Sequence, residues 1–148
     1  MDLKTTLQSD LRDAMRHGEE TRKSTLRMVL TAIKLAEVDR ADHVLDDAAC
    51  LAVIQKEIKS RHETIADAEK SNHPEMITQA EAEIKILQAY LPAAFSEMEL
   101  ENLAKAAISE VGATSIREMG QVMKVLVPRL QGRATGEQAS QVVRRLLQ

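Results

Sequence analysis

Tryptophan is absent from this chain of 148 residues, and tyrosine and phenylalanine occur once each. Any core must therefore be aliphatic, and the scarcity of rings argues against single-strand nucleic-acid modules that stack bases on aromatic side chains. Cys50 is the only cysteine, so no internal disulfide can form, and a reducing cytoplasm is the expected setting. Met1-Asp2-Leu3-Lys4 opens no apolar signal core, and no apolar run approaches the length that spans a bilayer. A soluble cytoplasmic protein with no membrane partner is expected.

Motifs for chemistry are missing as well. The phosphate-loop, dinucleotide and serine-hydrolase glycine patterns do not occur, and Gly132-x-x-x-Gly136 is not followed by Lys-Ser/Thr. His62-Glu63 begins like a zinc-protease helix, but Ala66 stands where the second histidine is needed. Cys50 has only Val53 and Ile54 in local helical register, which fits a buried inert thiol. His17, His43 and His73 fall at helix ends or turns, where histidines cap carbonyls or lie exposed. No catalytic residue, metal or cofactor is expected.

What is present is helical periodicity. Apolar residues make up 44% and charged residues 29%, a globular balance. Leu3, Leu7, Leu11 and Met15 mark a first helix, with Gly18 as its stop. A second covers about Glu20 to Asp39. Asp46 is placed to cap a long third helix, Asp47 to about Ser71, whose span of roughly 37 Å is long enough to project. Its stripe is Leu51, Ile54, Ile58, Ile65 and Ala68, with Lys56 to Lys70 read as a charged, solvated face. Pro74 opens a fourth helix reaching Leu91, antiparallel to the third because the connection is short. After Pro92, Ser96 with Glu99, Ser115 with Glu118 and Thr135 with Gln138 form three candidate capping boxes. Pro128 is expected to kink or end the sixth helix. No stretch alternates as a strand would. The expected fold is all-α: a four-helix antiparallel part over residues 1–92 with a long third helix, and a small three-helix C-terminal domain over 93–148.

The region Glu118 to Gly136 is the least generic. Gly120 lies inside a helix, where it costs about 1 kcal/mol relative to alanine, so close helix packing or backbone approach to a ligand is implied. Gly132-Arg133-Ala134-Thr135-Gly136 sets a guanidinium beside a helix N-terminus, a pairing that favours phosphate oxygens. The competing reading is a loop with left-handed glycines and a capping threonine. From Val111 onward six cations, including Lys124, Arg129, Arg133 and Arg144, stand against Glu118 and Glu137, on a chain of net charge −3. This is either a basic face or a solvated helix surface.

Lys56-Glu57 to Lys59-x-Arg61, Glu81-x-Glu83 with Tyr90-Leu91-Pro92, Met119-Gly120-x-Val122-Met123-Lys124 and Gly132-Arg133-Ala134-x-Gly136 together resemble the YqeY family over nearly the whole chain. That family is similar to the C-terminal helical and tail parts of the B subunit of the glutamine-dependent tRNA amidotransferase. Two positions depart from the family pattern: Asn72-His73 replaces Gly-Arg, and Thr135 replaces Asp. The resemblance implies a tail that helps hold tRNA, with Gly120, Lys124, Arg129, Gly132, Arg133, Thr135, Gly136 and Arg144 as RNA-contact candidates on one surface. It also implies that a label of carbon–nitrogen ligase activity with glutamine as amido donor is inherited from the relative, whose catalytic parts this chain lacks. The reading is an accessory tRNA-binding module, not catalytic alone. The alternatives are a protein-interaction module in translation and a non-catalytic part of an amidotransferase complex, with the other subunits or another translation protein as partner.

Overall fold

The computed structural model of the chain describes residues 2–148, and all regular structure among them is helical. Two compact units, Met1–Leu91 and Pro92–Gln148, each enclose a core of their own.

The first unit holds α1 (Leu3–Arg16), α2 (Glu20–Val38), α3 (Asp47–Ser71) and α4 (Pro74–Gln88). Short polar side chains start the helices where an oxygen can take a free backbone N–H. Asp2 accepts from the Thr5 amide and Asp46 from the Ala49 amide. Gly18 takes the left-handed conformation, φ 67°, between α1 and α2. Leu7, Leu26, Val29, Ile33, Ile54 and Leu87 are fully buried around Cys50, whose thiol pKa is pushed up by burial. His17 sits at the end of α1 with Nδ1 2.8 Å from the Asp13 carbonyl oxygen.

Two expectations for this unit need correction. The long third helix does not project: α4 packs along it, and Ala68 near its end is buried against a neighbour. Asn72 makes the return possible by adopting φ 57°, a conformation asparagine tolerates better than most residues with a Cβ. The fourth helix stops at Gln88 instead of Leu91. Its exit tightens, with the Tyr90 and Leu91 amides reaching back to the Leu87 and Gln88 carbonyls, because a residue before proline is pushed out of helical geometry.

The charged face of α3 is not uniformly solvated either. Arg61 is 5% exposed. Its Nε donates to Glu83 at 2.8 Å, and Nη1 donates to the Glu57 carboxylate at 2.7 Å and to the Glu57 carbonyl at 3.0 Å. Nη2 lies 3.5 Å from the Met28 sulfur. Arg61 and Glu83 are equally distant in sequence from Asn72, so their pairing requires α4 to run back along α3.

The single tyrosine closes the unit. Tyr90 donates to Asp10 at 2.5 Å, and Arg22 stands 3.8 Å from the other oxygen of that carboxylate. Burial, then the hydrogen bond and charge of Asp10, push the phenol pKa from 10 up to about 12. A raised folded pKa means the neutral phenol is favoured by the fold. Its stabilising contribution is complete below pH 10 and is lost as pH rises through 12. Titrating tyrosinate absorbance on the full chain, with helicity followed in parallel, is expected to give a midpoint near 12. A midpoint near 10 while the helices persist means the hydroxyl is not held by Asp10.

Candidate nucleic-acid interface

The second unit is built from α5 (Glu97–Val111), a 3-10 turn (Ile116–Glu118), α6 (Met119–Leu130) and α7 (Gly136–Leu147). Leu100, Ala104, Ala107, Val122, Leu126, Ala139 and Val143 form its core. Two of the three capping boxes are present, with Ser96 and Glu99 opening α5 and Thr135 and Gln138 opening α7. The third does not form. Ser115 makes no side-chain cap, and the Glu118 carboxylate accepts from the Thr114 hydroxyl at 3.3 Å. The chain there enters a tight turn, the Glu118 amide donating to the Ser115 carbonyl, and this carries Glu118 away from the serine amide.

Pro128 does not end α6, which continues to Leu130 and stops at Gln131 in the left-handed region, φ 49°. The proline lies on the exposed side of the last turn, where the Lys124 carbonyl it leaves without a helical donor can be hydrated. Gly132 follows at φ 76°, so two consecutive left-handed residues turn the chain toward α7. The short connection folds α7 back against α6.

Arg133 has an internal job. Its Nε donates to the Ala93 carbonyl at 2.8 Å, its guanidinium lies 4.1 Å from the centre of the Phe95 ring, and the Phe95 amide donates to the Arg133 carbonyl at 2.9 Å. Cation–π and hydrogen-bond contacts together fasten the Gly132 to Gly136 loop to the segment before α5. Arg129 is also engaged. It meets Glu110 at 2.6 Å, which lowers the Glu110 pKa. Arg145 and Lys105 both reach Glu101. Among the described residues of this unit, Arg133 apart, the cations in no ion pair are Arg117, Lys124 and Arg144, all exposed.

The eight candidate residues do not gather at one spot. Arg129, Gly132, Arg133, Thr135 and Gly136 cluster at the turn between α6 and α7, whereas Gly120 lies ten residues before the end of α6, about 15 Å along its axis. Lys124 falls between. Helical spacing nevertheless puts Gly120, Lys124, Val127, Pro128 and Gln131 on one outward face, and all five are exposed. Arg144 lies on α7, past its midpoint. At the start of α7 the Gln138 amide is already taken by the Thr135 hydroxyl, and Glu137 sets a carboxylate in the same turn.

Gly120 answers the packing question. It is helical, and a Cβ built on it meets nothing within 4 Å. No neighbour in the chain requires its bare backbone. Sequence reasoning named Glu57, Arg61, Glu83 and Tyr90 only as family markers and missed their pairings, Arg61 with Glu57 and Glu83 and Tyr90 with Asp10. Arg61 recurs at seven-residue intervals with Ile54 and Ala68, which is the signal that marks it as facing inward. Among the described residues no group of three or more His, Cys, Asp or Glu side chains is placed to hold a metal ion. No helix among them is long and apolar enough to cross a membrane.

A family model described as Yqey-like protein matches residues 4–147. Similar curated proteins carry the name Altered inheritance of mitochondria protein 41, mitochondrial. The one from Eremothecium gossypii is 33% identical over 111 residues, covering 73% of this chain and 60% of the relative. That from Kluyveromyces lactis is 37% identical over 94 residues, 62% of this chain and 51% of the relative. That from Pyrenophora tritici-repentis is 29% identical over 131 residues, 86% of this chain and 71% of the relative. A further relative, from Vanderwaltozyma polyspora, is covered over 46% of its length, so the chain spans about half the length of the curated relatives it matches.

Proposed function

We propose that this chain, which belongs to the Yqey-like protein family, is a non-catalytic accessory module that holds tRNA along the outward face of α6. In this reading the four helices of the first unit form an antiparallel part that presents a three-helix tail. The carrying observation is Gly120 with Lys124 one turn later. Gly120 stands in the first turn of α6, where a glycine forfeits part of the roughly 1 kcal/mol it costs in a helix interior, and no described neighbour occupies the space a Cβ would fill. A ligand that approaches the backbone would use that space, and an exposed lysine in no ion pair beside it suits a phosphate. Contacts of this kind read shape and charge rather than base sequence, which agrees with the lack of stacking rings. The module works in the cytoplasm beside the translation machinery, with amidotransferase subunits as candidate neighbours; the ligase label belongs to the relative's catalytic parts.

Gly120→Ala separates fold from function. It is expected to raise thermal stability, by up to about 1 kcal/mol, while weakening tRNA retention at low ionic strength. Lys124→Ala is expected to weaken retention to a similar degree for different tRNAs and to reduce the slope of log affinity against log salt by about 1. Salt-insensitive or absent tRNA retention by the unaltered chain, or retention indifferent to both substitutions, defeats this reading. The protein-interaction alternative draws its support from α2 instead.

A further inference from the structure

The exposed side of α2 carries an apolar stripe that its unit leaves largely open, the Met28 sulfur alone meeting Arg61. Met28, Leu35 and Val38 are 51%, 66% and 65% exposed, and their spacing of seven and three places them on one helical face. Val44, in the turn that follows, is 59% exposed. Arg27 and Lys34 border this stripe two helical turns apart, about 10 Å along the axis. Beyond them a groove of about 500 Å³ runs between α1 and α2, with Leu11 and Leu30 among its lining residues.

Acids border this surface too: exposed Asp39 follows Val38, and the Asp42 carboxylate accepts from the Val44 amide at 3.2 Å. Glu37, the acid of the groove, is already paired with Lys4 at 2.7 Å. Lys34 is in no ion pair, and Arg27 touches only the Met15 sulfur, at 3.9 Å. Two cations at heptad separation therefore lie along an apolar ridge and groove without an ion pair.

We infer that this face of α2 docks an amphipathic helix of a partner protein, with acidic residues seven positions apart meeting Arg27 and Lys34 and aliphatic residues covering Leu35 and Val38. Helix-in-groove recognition needs this combination of apolar anchors in register and complementary flanking charge. A nucleic-acid backbone matches the cations but leaves the apolar stripe wet. A bilayer surface is a poorer match, since the stripe has no aromatic residue to anchor it and acids outnumber cations in Met1–Leu91. The site is separate from the proposed tRNA face of α6 and does not depend on it.

The test places a photo-cross-linking phenylalanine analogue at position 35 of the full chain in the organism that encodes it, and maps the cross-linked residue by mass spectrometry. The expected adduct is one predominant protein, joined within a segment of helical apolar periodicity that carries acids at heptad spacing. Arg27→Glu with Lys34→Glu is expected to reduce that adduct at least tenfold without changing helicity or the unfolding midpoint, and the Gln pair to reduce it less. Converting the mapped acids to lysine is expected to restore the adduct to the double-Glu variant. Adducts to a second copy of the chain, to lipid or to RNA overturn the inference. So do the absence of any adduct, a partner segment without such acids, or an adduct that survives charge reversal.

Discussion

Arg61→Ala is expected to destabilise the first unit by about 3 kcal/mol, the cost of removing one partner from a buried ion pair. The guanidinium is 6% exposed and holds carboxylates that are themselves only 20% and 17% exposed. Without it, Glu57 and Glu83 confront each other with little water and no cation. The loss should come from these stranded charges more than from the vanished attraction. Arg61→Met combined with Glu57→Leu and Glu83→Leu should therefore recover most of the deficit, because apolar replacement of a whole buried network is often neutral. Denaturant unfolding of the single and combined variants checks both statements. A single-variant loss below about 1 kcal/mol means that the network behaves as a solvated surface pair.

Leu126→Ala is expected to unfold the second unit while leaving the first intact. Leu126 is fully buried at the centre of α6, and a leucine-to-alanine cavity costs about 3 kcal/mol. A unit the size of Pro92–Gln148 holds only a few kcal/mol in total at the usual stability per residue. Its core shares no residue with the core of the first unit. Methyl resonances of α5 to α7 should collapse to random-coil positions while those packed around Tyr90 stay dispersed. If both sets remain dispersed, the tail holds more stability than its size provides.

The helices themselves were legible because their punctuation is written in single residues. Asp46, Ser96 with Glu99 and Thr135 with Gln138 act through bonds to backbone a few positions away, and Pro74 through the N–H it lacks at the first helical position, so local spacing suffices to find them. The buried role of Arg61 was not legible in the same way. Arginine is the wrong type for a core position by propensity, and its partners Glu83 and Met28 are remote in sequence. The same holds for Tyr90 with Asp10. At the candidate interface, charge counting found the cations but could not say which were taken. Arg129 and Arg133 are spent on Glu110, Ala93 and Phe95, and Lys124 is not. Gly120 was visible as an anomaly; that no described packing neighbour accounts for it needed the empty space around it.

The alanines of the two cores have a mechanical consequence. Ala14, Ala68, Ala104, Ala107 and Ala139 are at most 1% exposed, and small side chains at a helix contact favour the short end of the usual 8–10 Å axis separation. Enlarging one of them overpacks a buried site, a strain relieved by backbone shifts. The helix must move as a rod. A truncated leucine removes packing and leaves a cavity, whereas an enlarged alanine forces its helices apart. In the tail, a methyl too many at Ala104 or Ala139 would tilt the helices that carry the outward face, without touching a residue on it.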